Sequence, residues 1–355
     1  MSVDYYPLKV SRKVREAEDS FSFYFSVPKE HEGLFQYRPA QFLTFQFEIE
    51  GQKLVRSYSV ASSPFLNEPL RTTVKRVSGG VVSNYMIDHI KEGDTVLSQI
   101  PLGEFYKPPK SLKPGHYILF AAGIGITPLF SIIKTVLDSS DLDKITLIYS
   151  NRTPESIIYK KELKEWQDKH KDRFFIHPVF SKTEGRLDKP KLTQLLTRET
   201  LKDSLFYLCG PKDYMNMVSE FLTENQVQKD QISTEDFKVV PIRGPKPDEN
   251  SVFFTASVFE EGEPEELKAL IDGEEVTIPL NREKSLLEQL LDKGYDAPFS
   301  CTSGTCMTCM AKLKEGKTFQ LEEGILDEEN IQNLEILTCQ SYPLSRKVII
   351  DYEDL

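Results

Sequence analysis

The stretch Asp296 to Met310, DAPFSCTSGTCMTCM, sets Cys301, Cys306 and Cys309 at C-x4-C-x2-C spacing, and Cys339 follows far downstream. These are four of the five cysteines in the chain. Such spacing supplies the thiolates of a [2Fe-2S] cluster, in which each iron needs two sulfurs from protein. A tight loop carrying three of them can wrap the cluster with its amides turned inward. The run Ser303, Gly304, Thr305 suits that loop, because glycine permits turns that larger residues resist and small side chains allow close approach.

Three other chemistries compete for the same cysteines. Zinc with four thiolates usually takes two C-x2-C knuckles, whereas Cys339 has no partner two residues away. A thioredoxin-like C-x-x-C has no use for Cys301 or Cys339. Rieske ligation needs two histidines, and His31, His89, His116, His170 and His177 all lie outside this region. Cys301, Cys306, Cys309 and Cys339 are therefore the expected iron ligands, and the loop resembles that of plant-type ferredoxins.

At 355 residues the chain is too long for one such module, and a composition 39% hydrophobic and 28% charged belongs to a globular protein of two or three domains. No basic-then-apolar signal pattern opens it, and the cysteines need no disulfides, so a reducing cytoplasm is the expected compartment. Residues 251–355 hold 22 acidic and 9 basic side chains, a net of −13 against −11 for the whole. An acidic module thus follows a nearly neutral remainder, which suits docking on a basic partner surface or plain solubility. The sign of the charge disfavours nucleic acid.

Residues 1–110 carry period-two apolar runs, Phe21, Phe23, Phe25, Val27 and then Leu43, Phe45, Phe47, Ile49. Such runs read as half-buried antiparallel strands of a small barrel. Within them fall Arg56-Ser57-Tyr58-Ser59, then Lys75 in Val74-Lys75-Arg76, then Ser78 to Met86 with Gly79 and Gly80 leading into a helix. Free amides at that helix start could receive a phosphate. Each piece alone has an ordinary explanation as a solvated strand residue, a core aromatic or a turn.

In residues 111–239 the uncharged run Tyr117 to Ile133 is too short for a membrane span and is divided by Gly123, Gly125 and Pro128. A buried parallel strand, a glycine turn and a helix explain it better. Further strands are expected at Ile145–Tyr149, Phe174–Phe180 and Leu205–Leu208, with a helix around Ile157–Gln167. Alternating strands and helices make a doubly wound α/β domain that binds ligands at strand C-termini. Gly123, Gly125, Ile126 and Thr127 would let a pyrophosphate approach. Ser150, Asn151 and Arg152 after the second strand and Lys182 after the third favour the 2'-phosphate of NADPH, with NADH also possible. Arg152 could instead pair with Glu155.

Residues 240–251, rich in Pro and Gly, read as a linker, and 252–355 as a β-grasp ferredoxin domain. Val252–Phe259 and Leu267–Leu280 read as strands, the latter a hairpin through Asp272-Gly273. Ser285 to Glu288 reads as a helix start, Gly294 as its end, and Lys347–Asp351 as a closing strand.

Taken in order, R-x-Y-S at Arg56, Tyr58 and Ser59, G-x-x-S over Gly80, Val81, Val82 and Ser83, P-x-G-x-F at Pro101 to Phe105, G-x-G-x-x-P from Gly123 and Cys209-Gly210-Pro211 resemble the ferredoxin-NADP reductase superfamily. With the C-terminal ferredoxin, nearly the whole chain resembles oxygenase reductases. The resemblance implies a multidomain α+β fold and FAD rather than FMN, with Arg56 on the pyrophosphate, Tyr58 against the isoalloxazine and Ser59 near its N5. It implies Cys209 beside the nicotinamide, shaping the hydride path without acting as a nucleophile, and Phe237 of Glu235-Asp236-Phe237 approaching the flavin. The implied route is NADPH to FAD to [2Fe-2S] to an oxygenase component. A reductase for a ring-hydroxylating or steroid oxygenase, or a non-catalytic iron-sulfur sensor, are the alternatives.

Overall fold

A computed structural model describes residues 4–107, 115–202, 204–235, 237, 246, 247, 251–302, 304, 306–320 and 326–355. The expected linker falls almost wholly outside these, as do the boundary near residue 110, Asp236, Ser303 and Thr305. Two compact units are present, one holding Tyr5–Phe237 and the other running from residue 238 to the C-terminus.

The larger unit begins with β1 (Tyr6–Ala17), β2 (Ser20–Ser26), β3 (Phe42–Ile49), β4 (Gln52–Ser59), β5 (Leu70–Lys75), α1 (Val81–His89) and β6 (Thr95–Ser98). Their sheet runs β4-β3-β6-β1-β2-β5, and a bridge between Val60 and Thr72 joins its two edge strands, so the barrel closes. Closure removes the edges that would otherwise pair with other chains. Phe23, Phe25, Leu43, Phe45 and Phe47 fill it, as their alternation requires.

The same unit continues with β7 (His116–Ala122), α2 (Ile126–Ser139), β8 (Lys144–Asn151), α3 (Lys160–Lys169), β9 (Phe174–Phe180), α4 (Lys189–Leu195), α5 (Arg198–Lys202), β10 (Ser204–Cys209), α6 (Lys212–Glu224) and β11 (Ile232–Glu235). The five strands pair in parallel, in the order β11-β10-β7-β8-β9. Alternate residues of one strand face opposite layers: Tyr117, Leu119 and Ala121 join α2, while Ile118 and Phe120 join α4 and α6. Both faces are thus covered, which explains the continuous apolar runs. The helix expected from Ile157 begins later, at Lys160, because Tyr159 takes φ +60° and carries its ring into the core against Phe130.

Barrel and parallel sheet are fastened by buried charge. Arg71 of β5 is 1% exposed, bonds Glu16 at 2.8 Å and both carboxylate oxygens of Glu162 on α3 at 2.9 and 3.0 Å, and lies 4.3 Å from the Tyr159 ring centre. Lys134 of α2 reaches Glu68 at 2.5 Å.

The smaller unit comprises β12 (Val252–Thr255), β13 (Glu266–Ile271), β14 (Glu274–Pro279), α7 (Leu286–Asp292), β15 (Met310–Glu315), β16 (Lys317–Gln320), α8 (Glu328–Gln332), β17 (Glu335–Leu337), β18 (Tyr342–Pro343) and β19 (Lys347–Asp351). Its main sheet is β14-β13-β19-β15-β17, with β13 and β19 parallel and the other pairs antiparallel. Leu286, Leu287 and Leu290 of α7 pack on Leu267, Ala269 and Ile350, completing a β-grasp. Asp272 and Gly273, both at positive φ, make the hairpin turn. The expected strand over Val252–Phe259 stops at Thr255.

Candidate functional site

The strand ends of the parallel sheet meet backbone to backbone. A Cβ added to Gly125 would lie 2.1 Å from the Cys209 carbonyl oxygen and 2.9 Å from the Gly210 nitrogen, and one added to Gly210 would lie 2.8 Å from the Ala122 Cβ. Only glycines allow these two turns to touch. Gly123 takes φ +54°, its carbonyl accepts from the buried Tyr149 hydroxyl at 3.0 Å, and Lys75 reaches across from β5 to 3.9 Å from its missing Cβ. Ile126 and Thr127 then open α2, which has no side-chain cap on its first amides. The Ile126 amide already donates to the Gly123 carbonyl through the turn before α2, and the dipole of the long helix still favours an anion at this end.

Beside this turn, Cys209 is fully buried at the end of β10 and stands in register with Glu235 of β11. Ser59, at the end of β4, donates its hydroxyl to the Glu235 carboxylate at 3.4 Å. Three strands from two sheets therefore bring a hydroxyl, a thiol and a carboxylate to one place. In sequence Glu235 is legible only as part of a terminal motif. Its carboxylate becomes a site group once the parallel register is known. Pro211 precedes α6, and Tyr214 on that helix bonds the Ala121 carbonyl at 3.2 Å, tying the Cys209–Pro211 turn to β7.

On the barrel, Ser57 pairs with Thr44 at 2.8 Å, and the Tyr58 ring lies 6.2 Å from Phe45. Burial pushes the Tyr58 phenol well above its ordinary range, with Arg56 opposing, so it stays neutral. Arg56 is exposed, bonds only the Val55 carbonyl at 2.7 Å, and pairs with no acid among the described residues. Gly79 takes φ +72°, and Gly80 caps α1, where a Cβ would lie 2.8 Å from Ser83 Oγ. That hydroxyl accepts from the Val77 amide at 3.3 Å, Val82 is buried and Val81 exposed. Phe237 is 42% exposed.

At the ends of β8 and β9 the Lys182 amide donates to the Arg152 carbonyl at 3.2 Å, placing two exposed cations on adjacent strands. Neither pairs with an acid among the described residues, so the alternative Arg152–Glu155 pair does not form. Asn151 is buried, and the buried Ser150 hydroxyl has no hydrogen-bond partner among the described residues.

In the smaller unit Cys301, Cys309 and Cys339 are buried, Cys306 is half-buried, and none forms a disulfide. The Cys301 amide donates to Cys306 Sγ at 3.4 Å. The thiols stand as neighbours in pairs, Cys306 by Cys301 and Cys309 by Cys339, and the neighbouring thiol, with burial, pushes both Cys306 and Cys309 up. Among the described residues no three His, Cys, Asp or Glu side chains converge as one metal ion would require. Two pairs of thiols are what two irons need, so the donor set fits a [2Fe-2S] centre better than zinc. Its positive charge would also relieve the repulsion that keeps clustered thiols protonated. The loop achieves its curvature with positive φ at Thr302, Gly304 and Met307. Such backbone strain in non-glycine residues gathers at functional sites.

Residues 7–106 match the oxidoreductase FAD-binding domain, 119–220 the oxidoreductase NAD-binding domain and 269–344 the 2Fe-2S iron-sulfur cluster binding domain. The chain is 30% identical to one component of 1,2-phenylacetyl-CoA epoxidase from Escherichia coli K12, covering 98% of each. It is 32% identical to the ferredoxin reductase component of 3-ketosteroid-9-alpha-monooxygenase from Rhodococcus rhodochrous, covering 97% of this chain and 96% of that one. Among solved structures, phthalate dioxygenase reductase, described as a modular structure for electron transfer from pyridine nucleotides to [2Fe-2S], matches with TM-score 0.65 and 25% identity over 98% of both chains. No helix among the described residues is long and apolar enough to cross a membrane.

Proposed function

Because this chain belongs to the oxygenase reductases built from FAD-binding, NAD-binding and [2Fe-2S] domains, we propose that it passes electrons from NADPH to the oxygenase of a phenylacetyl-CoA epoxidase. When bound, FAD takes a hydride from nicotinamide and yields electrons singly, which is the form a [2Fe-2S] centre accepts. In this proposal Arg56 and the turn from Gly80 through Val81 and Val82 to Ser83 hold the flavin pyrophosphate. Tyr58 covers the ring, and Ser57, Lys75 and Phe237 complete its surroundings. Gly123, Gly125, Ile126, Thr127, Gly210 and Pro211 admit the nicotinamide nucleotide. Ser150, Asn151, Arg152 and Lys182 face its adenosine end. Cys301, Cys306, Cys309 and Cys339 ligate the cluster.

The observation that carries the proposal is the meeting of Ser59, Cys209 and Glu235 from three strands. Cys209, fully buried, supports from behind the place where a nicotinamide ring would lie, as a small apolar side chain, and the Ser59 hydroxyl is oriented by the carboxylate it donates to. Choice of NADPH rests on charge. Two unpaired cations on neighbouring strand ends would serve a 2'-phosphate, whereas ribose hydroxyls favour an acid.

For the acceptor, similarity along the whole chain to the epoxidase component supports the proposal. A second acceptor, a steroid oxygenase, is favoured by the 32% identity to the 3-ketosteroid reductase component. Purified protein is expected to reduce ferricyanide with NADPH, and to sustain substrate turnover by the epoxidase oxygenase rather than the steroid oxygenase. Equal or better coupling to the steroid enzyme would overturn the first assignment. Bound flavin and cluster with no NADPH oxidation would favour a sensor instead.

A further inference from the structure

Gln340, the neighbour of the last cluster cysteine, makes contacts that its position in sequence does not announce. Its amide nitrogen lies 2.9 Å from the Thr302 carbonyl oxygen, 3.0 Å from the Cys339 carbonyl oxygen and 3.5 Å from Cys339 Sγ. All three are acceptors, and this fixes which end of the amide is nitrogen. An amide has two protons to give. One serves Thr302, and the second is divided between the carbonyl and the sulfur of Cys339. Its side chain also fills the space over the cysteine loop, where a Cβ on Gly304 would come within 3.1 Å of Gln340 Cγ. The residue thus ties the loop carrying three cysteines to the distant fourth.

We propose that Gln340 is a positioning residue that sets the reduction potential of the cluster by donating a hydrogen bond to the sulfur of Cys339. The proposal rests on the [2Fe-2S] assignment of those cysteines. A sulfur bonded to iron keeps its negative charge, so it competes better for the shared proton than the thiol does, and charge-assisted hydrogen bonds are the stronger kind. Reduction adds one electron to the cluster and its sulfurs. A donor aimed at a sulfur therefore stabilises the reduced form more than the oxidised one, and raises the potential. Removing the donor should make the cluster harder to reduce.

The test is anaerobic spectroelectrochemical titration of the full-length protein carrying flavin and cluster, wild type against Gln340→Met and Gln340→Glu. Methionine keeps the length of the side chain without a donor. Glutamate keeps its shape and replaces the donor with negative charge. Expected is a lower cluster potential in Gln340→Met, by about tenfold in the reduction equilibrium or about 59 mV for one electron. A larger drop is expected in Gln340→Glu, with the flavin potential unchanged in the same samples. A wild-type cluster potential in either variant that retains the cluster would overturn the proposal. So would failure of both variants to hold a cluster, because Gln340 would then act in assembly. Wild-type protein lacking iron and sulfide would instead sink the cluster assignment itself.

Discussion

The Ser59 hydroxyl donates to the Glu235 carboxylate at 3.4 Å, joining residues 176 positions apart in sequence. One ends a barrel strand and the other ends the last strand of the parallel sheet, so their meeting depends on how the two domains pack. If Glu235 orients Ser59 for hydride transfer, Glu235→Gln and Ser59→Ala should each slow reduction of the bound flavin by NADPH. A loss of about 10²-fold is expected, as for a reacting geometry displaced by a fraction of an ångström. Stopped-flow flavin bleaching measures it, and thermal stability should move little, since one long hydrogen bond contributes only about 1 kcal/mol.

How much of this is legible in the sequence follows from what each signal depends on. The cysteine spacing, the alternating phenylalanines of β2 and β3, and the strand-turn-helix in Tyr117 to Ile133 are local patterns, and they specify the barrel, the parallel sheet and the cluster loop. Arg71 and Gln340 leave no such trace, and Glu235 shows only as part of the Glu235-Asp236-Phe237 motif. A carboxylate in β11 is an ordinary residue until the parallel register places it beside Cys209. Arg71 reads as a half-exposed strand cation until α3 closes over it. The start of α3 lies later than the pattern suggests because Ile157 and Ile158 continue an apolar run while Tyr159, at φ +60°, breaks the helix.

Gly125 separates two backbones, and substitution there should be severe. In Gly125→Ala the new methyl group would sit 2.1 Å from the Cys209 carbonyl oxygen, and neither turn can yield without shifting a strand end. Overpacking of this kind costs about 1–3 kcal/mol or more. The expected outcome is a lower midpoint for thermal unfolding and loss of NADPH-dependent flavin reduction. Gly33→Ala, where a Cβ meets nothing within 4 Å, should change neither and serves as the control.

Arg152 and Lys182 make a charge prediction that separates the two nicotinamide nucleotides. Each hydrogen bond from a cation to a phosphate is worth about 1.5–3 kcal/mol. Arg152→Ala and Lys182→Ala should therefore each raise KM for NADPH about tenfold or more, while KM for NADH stays the same. Added salt should raise the wild-type KM for NADPH as well, because both cations are exposed and screened. Steady-state ferricyanide reduction with each nucleotide checks this, and equal changes for both would assign the cations to another role.

Acid should weaken the larger unit through two histidines. His116 bonds Thr146 at 2.8 Å, and burial, then Lys144, lowers its pKa below the ordinary 6.5. His170 accepts from Arg173 at Nδ1, and burial, then Arg173, lowers its pKa too. The folded state thus binds fewer protons than the unfolded state, so stability is intact above about pH 7 and declines as pH falls through 6.5 toward the depressed values. Urea midpoints between pH 7.5 and 5.5 should show that decline. His116→Gln should flatten part of it.

Arg71 sets the last expectation, because its guanidinium is buried while its partners are not equally so. Glu16 is 9% exposed at the side chain and Glu162 35%, against 1% for Arg71. Removing the cation strands a buried carboxylate, and breaking a buried pair costs about 3–5 kcal/mol. Arg71→Ala should therefore lower the unfolding free energy by that order, and it also loses the packing of the guanidinium on Tyr159 and Tyr24. Glu162→Gln keeps a hydrogen-bond acceptor at a partly solvated site and should cost much less. Arg71→Met with Glu16→Leu and Glu162→Met leaves no charge unpaired, so stability should return close to wild type if desolvation offsets most of the ion-pair attraction. Chemical denaturation of the three proteins decides it. A triple variant as unstable as Arg71→Ala would mean that the charges themselves hold the two domains together.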